Sequence, residues 1–259
     1  MRVLSLFDSS WCEIRDLDRS RTIALLPAGA IEAHGPHLPL GTDVIISEAM
    51  ARTAAEQLAA IGYEPLILPA LMYSAAQFGA NFPGTISLDP DAVSATIRGI
   101  ANSLAEHGIR VLAIANSHLD PLHIESLNVA AEQVRMETPM KVVFPDITRK
   151  PWASRLTEEF RSGACHAGQY ETSVVLAERP ELVQDKIRMD LTPNPSSLSA
   201  AIREGKTTFE EAGGHLAYFG RPADASPEEG RDTIETLGAI LREAILETVT
   251  DMRNADGGG

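Results

Sequence analysis

The sequence predicts a single α/β domain, a layered fold with a mostly parallel central sheet flanked by helices. Short β-branched apolar runs alternate with longer helical stretches along the chain, which is typical of this class. The chain has 259 residues, 44% of them hydrophobic, so it can bury a sizeable core. Since we find neither an internal repeat nor a clear linker, we expect residues 1–252 to form one domain and residues 253–259 a disordered tail.

The amino-terminal part of the chain contains two predicted strands and one predicted helix. Residues 22–29, TIALLPAG, form an apolar run that is typical of a strand buried on both faces. A polar loop leads into a helix over residues 44–62, where a glycine is suited to end the helix. Residues 65–73, PLILPALMY, are predicted to form a second strand.

The middle of the chain continues this alternation. Asp89 is suited to cap a helix that Pro90 begins, and Gly108 is placed to close that helix after about His107. The apolar run over residues 110–116 is too continuous for a half-exposed edge strand, which indicates a third buried strand. The next predicted elements are a helix over residues 122–136 and a strand over residues 141–147.

The carboxyl-terminal part is predicted to be mainly helical. A helix-like segment spans residues 150–163 and contains Trp152, and another helix begins at Glu171 and is stopped or bent by Pro180. Residues 190–225 are rich in Pro, Ser, Gly and Thr, so we expect an irregular surface excursion there.

The last predicted element is a helix that begins after Ser226 and runs to about Met252. Ser226 is expected to be its N-cap and Pro227 its first residue, with Glu229 completing a capping box.

Composition excludes several classes of function. A formal net charge of −14 argues against nucleic-acid binding, which needs clustered Lys and Arg, so a small-molecule or peptide substrate is favoured. The sequence contains neither a signal-peptide core nor an apolar run long enough to span a membrane, and we expect a cytoplasmic protein without membrane contact. Cys12 and Cys165 are too far apart in sequence for a zinc-finger spacing, so oxygen and imidazole ligands would have to hold any metal.

The densest group of chemically active residues is AGAIEAHGPHLPLGTD, which begins where the first predicted strand ends. In α/β sheets, ligands bind just beyond the carboxyl ends of strands. Glu32 and His34 are two residues apart, so in extended chain both side chains point to the same side. The glycines and prolines that follow can turn the chain and bring Asp43 back beside them, where its two oxygens are suited to bridge two ions.

Two further loops carry the same residue types. His118 and Asp120 follow the third predicted strand, in IANSHLDPLH, and His166 and Glu171 lie in CHAGQYETS. Because strand-end loops converge at one edge of a sheet, a shared metal site is predicted. Structural roles are the alternatives to metal binding. Asp120 is also suited to cap the helix that follows it, and Glu171 is also suited to lie in the first turn of its own helix.

The remaining candidates favour structural roles. His37, His123 and His215 are interpreted as hydrogen-bonded scaffold, and Cys165 as an unreactive thiol rather than a nucleophile. Trp152 is equally suited to the core and to an aromatic wall of the substrate pocket.

Several motifs resemble the creatininase family of metallohydrolases. They are LPAGAIEAHGPHLPLGTD, NFPGTISL at residues 81–88, NSHLD at residues 116–120, HAGQYETS at residues 166–173 and YFGRPADASPEEG near the carboxyl terminus. The resemblance implies one α/β domain with a binuclear metal centre and, commonly, a homohexamer.

The resemblance also implies residue roles. Glu32 and His118 would bind one ion, His34 the other, and Asp43 would bridge the two. The second ion needs a further carboxylate, for which Asp120 and Glu171 both stay open. His166 matches the histidine that family mechanisms place near the scissile bond. The predicted catalytic residues are His166 and Glu171, since either His166 or a carboxylate not used as a ligand would carry a proton to the departing nitrogen. Ser117 and Trp152 are predicted to contact the substrate.

Two departures make creatinine a disfavoured substrate. Leu119 stands where creatininase has a tyrosine, and only Trp152 is available to match the two tryptophans that cover the creatinine ring. We therefore expect hydrolysis of another C–N amide bond, in a cyclic amide, lactam or formamide.

The expected mechanism is attack on the amide carbonyl by a water shared between two divalent ions, either Zn²⁺, Mn²⁺ or Fe²⁺. Rival functions are a metallopeptidase that trims a short peptide end, a ring-opening hydrolase of a sugar or cyclitol derivative, and a non-catalytic metal- or metabolite-binding protein. A nucleotide-binding Rossmann protein is disfavoured, because the first strand leads to AGAIEAHG rather than to a GxGxxG turn.

Overall fold

The computed structural model describes residues 3–257, with side chains to residue 255. Its sheet has five strands: β1 (Leu4–Ser5), β2 (Thr22–Ala28), β3 (Glu64–Ile67), β4 (Val111–Asn116) and β5 (Lys141–Val143). Neighbouring strands are parallel, and their order across the sheet is β1-β3-β2-β4-β5. The predicted parallel sheet is therefore confirmed.

Nine α-helices accompany the sheet in the described part of the chain. They are α1 (Trp11–Arg15), α2 (Thr42–Ala60), α3 (Pro90–Glu106), α4 (Pro121–Glu137), α5 (Glu158–Ser162), α6 (Gln169–Glu178), α7 (Asp185–Asp190), α8 (Leu198–Arg203) and α9 (Pro227–Gly257). Short 3-10 turns lie at Trp152–Arg155, Pro180–Leu182 and Pro222–Asp224. No helix within residues 3–257 combines the length and the apolar character needed to cross a lipid bilayer.

Both faces of the sheet are covered, which gives three layers in a single domain. Alternate residues of a strand point to opposite faces. Leu25 and Ala113 therefore join one apolar cluster with α2, α6 and α9, whereas Leu26 and Leu112 join a second cluster with α3 and α4. This double burial explains why the central strands are continuous apolar runs rather than alternating ones.

The second and last predicted strands are shorter than expected. The β3 ladder ends at Ile67, and β5 ends at Val143. Pro69 and Pro145 follow shortly after these ends, and proline has no N–H to donate to a neighbouring strand. Both stretches run on as irregular chain. The amino-terminal elements β1 and α1 were not predicted from the sequence.

The segment 150–163 is not one helix. Leu156 has an extended conformation, with ψ of 177°, which separates the 3-10 turn at Trp152–Arg155 from α5. Thr157 then caps α5 by accepting a hydrogen bond from the backbone N–H of Phe160.

Residues 190–225 correct the expectation of an irregular surface excursion. This segment contains α8, and Phe209 and Phe219 are almost fully buried within it. Both aromatic rings belong to an apolar cluster that includes Phe78 from the loop after β3. The correction has a physical reason: the buried partners are distant in sequence, so no local periodicity reveals them.

The final helix is capped differently from the prediction. Ser226 accepts a hydrogen bond from the backbone N–H of Glu229 (3.2 Å), but its own N–H donates to Ser173 Oγ (3.1 Å). The carboxylate of Glu229 instead accepts a hydrogen bond from Gln169. The predicted capping box is therefore only half formed. The helix continues to Gly257 rather than ending near Met252, and residues 258–259 of the expected tail lie outside the described residues.

Candidate metal centre

The candidate site lies at the carboxyl ends of β2 and β4. Ala28 and Asn116 are paired in register at the ends of these central strands, so the loops that follow them start side by side. The first loop carries Glu32 and His34, and the second carries His118 and Asp120. All four side chains are buried, which is unusual for ionisable groups without a ligand.

Asp43 reaches this site because α2 begins earlier than predicted. The helix starts at Thr42, which places Asp43 in its first turn, where backbone N–H groups favour a negative charge. Gly29 permits the close approach: a Cβ on this residue would lie 2.7 Å from the backbone nitrogen of Val44. Ser117 fixes the contact from the other side, since its hydroxyl donates to the carbonyl of Asp43 (2.6 Å).

Asp43 lies between two groups of side chains, which we name the His118 half and the His34 half. The His118 half contains Glu32, His118 and Asp120, and the His34 half contains His34 and Glu171; Glu32 also lies close to His34 and His166. His118 Nδ1 is 2.9 Å from Asp43 Oδ2, and His34 Nε2 is 3.3 Å from Asp43 Oδ1. The two carboxylate oxygens of Asp43 therefore face different halves.

The ring nitrogens that point away from the cluster are held by backbone carbonyls. His118 Nε2 lies 2.8 Å from the carbonyl of Ala75, and His34 Nδ1 lies 3.0 Å from the carbonyl of Glu32. A carbonyl can only accept, so each of these nitrogens carries a proton. The opposite nitrogen of each ring is thereby directed at the carboxylates, as in known metal sites.

The two carboxylates left open by the sequence occupy different halves. Asp120 groups with Glu32 and His118, whereas Glu171 Oε2 lies 3.6 Å from His34 Nε2. Asp120 also caps α4, as its structural alternative predicted, because Oδ1 accepts from the N–H of Leu122 (2.8 Å). Asp120 and Glu171 therefore do not compete for one position.

Several buried atoms of the cluster have no hydrogen-bond partner among the described residues. They are Glu32 Oε1, His34 Nε2 and Asp43 Oδ2. His34 Nε2 lies 3.3 Å from Asp43 Oδ1, and Asp43 Oδ2 lies 2.9 Å from His118 Nδ1. Unpaired buried polar atoms are costly. Imidazole nitrogen and carboxylate oxygen that converge in this way suit divalent ions.

Burial and the closeness of opposite charges shift the pKa values of the side chains in the cluster. Burial raises the pKa of Glu32 to about 7 and that of Glu171 to about 8. Burial works against the charged form of His34 and of His118, but the neighbouring carboxylates outweigh it and raise the pKa of each imidazole to about 10. Without an ion, protons on the two imidazoles balance the carboxylates.

The pKa of Asp43 shifts in the opposite direction from those of Glu32 and Glu171. Its burial favours the neutral acid, but the two flanking imidazoles outweigh this effect and hold its pKa below the usual range. Asp43 is thus a carboxylate at neutral pH, as a bridging position requires.

His166 lies beside the cluster in a different state. Burial lowers its pKa well below the usual range, and the charge of His34 adds to this effect. Its Nε2 is 2.9 Å from the carbonyl of Ala33, so that nitrogen carries the proton and Nδ1 has a free lone pair. The ring is packed between His34 and Phe209, with centroid distances of 4.3 and 4.2 Å. His166 is therefore a neutral imidazole that its neighbours hold in a fixed orientation.

A cavity of about 680 Å³ opens onto the cluster. Glu32, Asp43, His118 and His166 form part of its lining, together with Ser117. This volume is ample for a small-molecule ligand.

Trp152 is not among the residues that line this cavity, and it takes the core position that the sequence left open as the alternative to a pocket wall. It packs against the apolar core and beneath the guanidinium of Arg155, 5.9 Å from the ring centroid. Its smaller neighbour on the 3-10 turn, Ala153, faces the cavity instead.

The remaining histidines and Cys165 have the environments expected of structural residues. His37 lies 3.0 Å from the hydroxyl of Thr172, His123 contacts Ser74 and Asn116, and His215 is exposed. Cys165 lines the cavity, but burial raises the pKa of its thiol to about 12, so it is not a thiolate at neutral pH.

Phe209 and the arginines that line the cavity were not identified from the sequence. Phe209 lies in the segment expected to be an irregular excursion, and its contact with His166 joins positions that no local pattern connects. Arg161 and Arg203 lie on short helices without any motif.

Comparison with known proteins identifies relatives over most of the chain. A family model described as "Creatininase: Creatinine amidohydrolase" matches residues 8–245. The chain is 30% identical over 225 residues to a creatinine amidohydrolase of Pseudomonas putida, which covers 74% of this chain and 82% of that protein. It is also 30% identical over 240 residues to a mycofactocin precursor peptide peptidase of Mycobacterium tuberculosis (strain ATCC 25618 / H37Rv), covering 90% of this chain and 87% of that one.

Solved structures give the same result. The structure described as "Creatininase Mn" superposes with a TM-score of 0.72 and 25% sequence identity, and the match covers 96% of this chain and 99% of that chain. The likeness thus extends to the whole architecture and not only to the loops of the site.

Proposed function

Because the chain belongs to the creatininase family of metal-dependent amidohydrolases, we propose that it hydrolyses a C–N amide bond with two divalent ions. One observation carries the proposal: buried oxygen and nitrogen atoms of Glu32, His34 and Asp43 converge without hydrogen-bond partners among the described residues, and Glu32 and Asp43 line a cavity. The favoured substrates are cyclic amides, lactams and formamides.

Each ion would be held by one half of the cluster. Glu32 and His118, with Asp120 nearby, would hold one ion, and His34 and Glu171 the other. Asp43 would bridge them. When bound, such ions lower the pKa of a shared water and polarise the substrate carbonyl.

His166 would move the proton in this reaction. Its Nδ1 has a free lone pair beside the cluster, and its neutral ring accepts a proton that arises during attack. The imidazolium would then protonate the departing nitrogen. The carbonyl of Ala33 and the ring of Phe209 keep the imidazole in this orientation.

The identity of the metal is a matter for experiment. Mixed imidazole and carboxylate ligands suit Zn²⁺, Mn²⁺ and Fe²⁺. The solved relative described as "Creatininase Mn" makes Mn²⁺ a sensible first choice.

Removal and return of the metal test the proposal. We expect chelated protein to hydrolyse none of a panel of lactams, formamides and cyclic amides. Return of Mn²⁺, Zn²⁺ or Fe²⁺ should restore hydrolysis, with up to two ions per chain by elemental analysis. Hydrolysis that persists in fully demetallated protein would falsify the proposal, and a single ion without any open coordination position would favour a metal-binding role.

Removal of a short peptide end is the second candidate function. The observation that favours it is the alignment with the mycofactocin precursor peptide peptidase over 90% of this chain. Peptides added to the same panel distinguish the two candidates, since a peptidase should prefer them to lactams. A sugar or cyclitol substrate, homohexameric assembly and a cytoplasmic location stay predictions.

A further inference from the structure

The cavity above the metal cluster has an uneven distribution of charge. Its floor contains the buried carboxylates of Glu32, Asp43, Asp120 and Glu171. Three arginines also line it, namely Arg149, Arg161 and Arg203, and all three are exposed to solvent. In a chain with a net charge of −14, these three arginines outnumber the two remaining carboxylates of the lining, Glu125 and Asp146.

Two of these arginines have no ion-pair partner among the described residues. Arg149 pairs with Asp146 at 3.0 Å, which also lines the cavity. In contrast, no carboxylate of residues 3–255 lies within ion-pair distance of Arg161 or Arg203. Most other arginines of this acidic protein do have such partners, for example Arg155 with Glu243 and Arg231 with Glu228. Arg161 and Arg203 are therefore available to an anion from outside the chain.

The two arginines belong to segments that are joined directly. Arg161 is in α5 and Arg203 ends α8. The hydroxyl of Ser197, just before α8, donates to the carbonyl of Ser162 (3.0 Å), and the N–H of Ser199 donates to the carbonyl of Gly163 (3.3 Å). The two segments that carry these arginines are thus adjacent, and both arginines line the same cavity.

The cavity is also larger than a single small ring requires. A volume of about 680 Å³ falls within the range of roughly 300–1,000 Å³ that accommodates whole drug-sized ligands. A ligand of that size can place an amide at the metal cluster and a second functional group at the arginines. Guanidinium groups bind carboxylates through two parallel hydrogen bonds, which makes a carboxylate the natural partner.

We propose that the substrate of this site carries a free carboxylate remote from the scissile amide, and that Arg161 and Arg203 bind it. The inference rests on the proposed amide hydrolysis and narrows its substrate to N-acyl amino acids and short peptides with a free carboxyl end. The arginines would also offset the repulsion that the acidic floor, together with Glu125 and Asp146 of the same lining, exerts on an anionic substrate.

A matched pair of ligands tests this inference by binding. N-acetylglycylglycine and its carboxyl-terminal amide differ only in the charge at one end. With the metal-loaded protein, calorimetry should give an affinity for the acid at least about tenfold higher than for the amide. Added salt should reduce the difference, because the arginines are exposed.

Variants assign the preference to the two arginines. The double variant Arg161→Gln with Arg203→Gln should bind acid and amide equally, with the amide affinity unchanged within about twofold. Arg231→Gln, an exposed arginine on α9 away from the cavity, is the matched control and should keep the preference for the acid. Equal binding of both ligands by the unaltered protein would refute the inference, as would a double variant that weakens both ligands alike.

Hydrolysis of the same two ligands separates this inference from the proposed function. Turnover of both compounds without any preference refutes the carboxylate site and leaves amide hydrolysis standing. A preference in binding without turnover of any amide refutes the hydrolase and leaves carboxylate recognition by Arg161 and Arg203 in place.

Discussion

The two halves of the metal cluster contain the same kinds of side chain but are held by different means. In the His118 half, both oxygens of Asp120 accept backbone hydrogen bonds, from Phe78 (3.1 Å) and Leu122 (2.8 Å). In the His34 half, Glu171 accepts one, from the N–H of Ala167 (2.6 Å). Glu171 therefore keeps Oε1 without a backbone donor, whereas the bonded Oε2 is the oxygen that lies 3.6 Å from His34 Nε2.

This difference separates a carboxylate that shapes the loop from one that is free to bind an ion. A carboxylate engaged by two N–H groups has fewer lone pairs for a metal and is costly to move. The His118 half can depend on Glu32 instead, since Glu32 Oε1 has no partner among the described residues. We expect Glu171 to be the stronger ligand and Asp120 to act mainly through the backbone.

The largest loss of activity is expected from substitution of Asp43, which lies between the two halves. Asp43→Ala removes the carboxylate whose two oxygens lie 3.3 Å from His34 Nε2 and 2.9 Å from His118 Nδ1, and both ions should be lost. We expect kcat/KM to fall at least about 1000-fold, since even outer partners of metal ligands are worth roughly 10- to 100-fold. Glu125→Ala removes an exposed carboxylate from the same cavity and is the control. A variant that retains two ions by elemental analysis would show that Asp43 is not the bridge.

The next effect concerns chemistry rather than metal binding. His166→Ala should lower kcat by roughly 100- to 10,000-fold, the range for loss of a general acid–base group, while the metal content stays unchanged. The exposed His215→Ala is the matched control. Loss of an ion in the His166 variant would instead make His166 a ligand, which its position near Glu32 and His34 allows.

A direct comparison of the two halves uses conservative changes. Glu171→Gln should weaken one of the two ions by about 100-fold, whereas Asp120→Asn should weaken metal binding by less than about tenfold. Asp120→Asn should lower the free energy of unfolding by about 1 kcal/mol, because an amide cannot accept hydrogen bonds at both of its ends.

Metal titration followed by calorimetry, with Glu125→Gln as control, measures the metal affinities of the two variants. Urea unfolding measures the free energy of unfolding of Asp120→Asn. The reverse order of metal affinities would place Asp120, rather than Glu171, in the coordination shell.

Part of this site was predictable because its residues lie in local patterns. Glu32 and His34 follow a buried strand at a spacing of two, and His118 and Asp120 repeat this arrangement after β4. In a parallel sheet such loops converge at one edge, so their proximity follows from the topology alone.

The choice between Asp120 and Glu171 could not be predicted, because spacing does not give side-chain direction. Glu171 reaches His34 only through the packing of α6, and His166 meets Ala33 across 133 residues of sequence. The position of Trp152 against the core and the burial of Phe209 also depend on such distant contacts.

The last comparison concerns the exchange of protons for metal. The raised pKa values of His34 and His118, about 10 each, mean that both imidazoles are protonated at pH 7 in the metal-free protein. A metal binds only the neutral ring, so binding must release about one proton from each imidazole. Apparent affinity should therefore rise with pH between 7 and 10, by about tenfold per pH unit for each proton displaced.

Proton release also distinguishes the two halves. The pKa of Glu171 is raised to about 8, so at pH 7 this group is mostly protonated before it binds an ion. Glutamine has no such proton, and Glu171→Gln should therefore release nearly one proton fewer per chain. Calorimetric titrations in buffers of different ionisation enthalpy count these protons. If the count is the same in the variant and in the unaltered protein, Glu171 does not contribute to the second ion site, and the asymmetry between the halves has another origin.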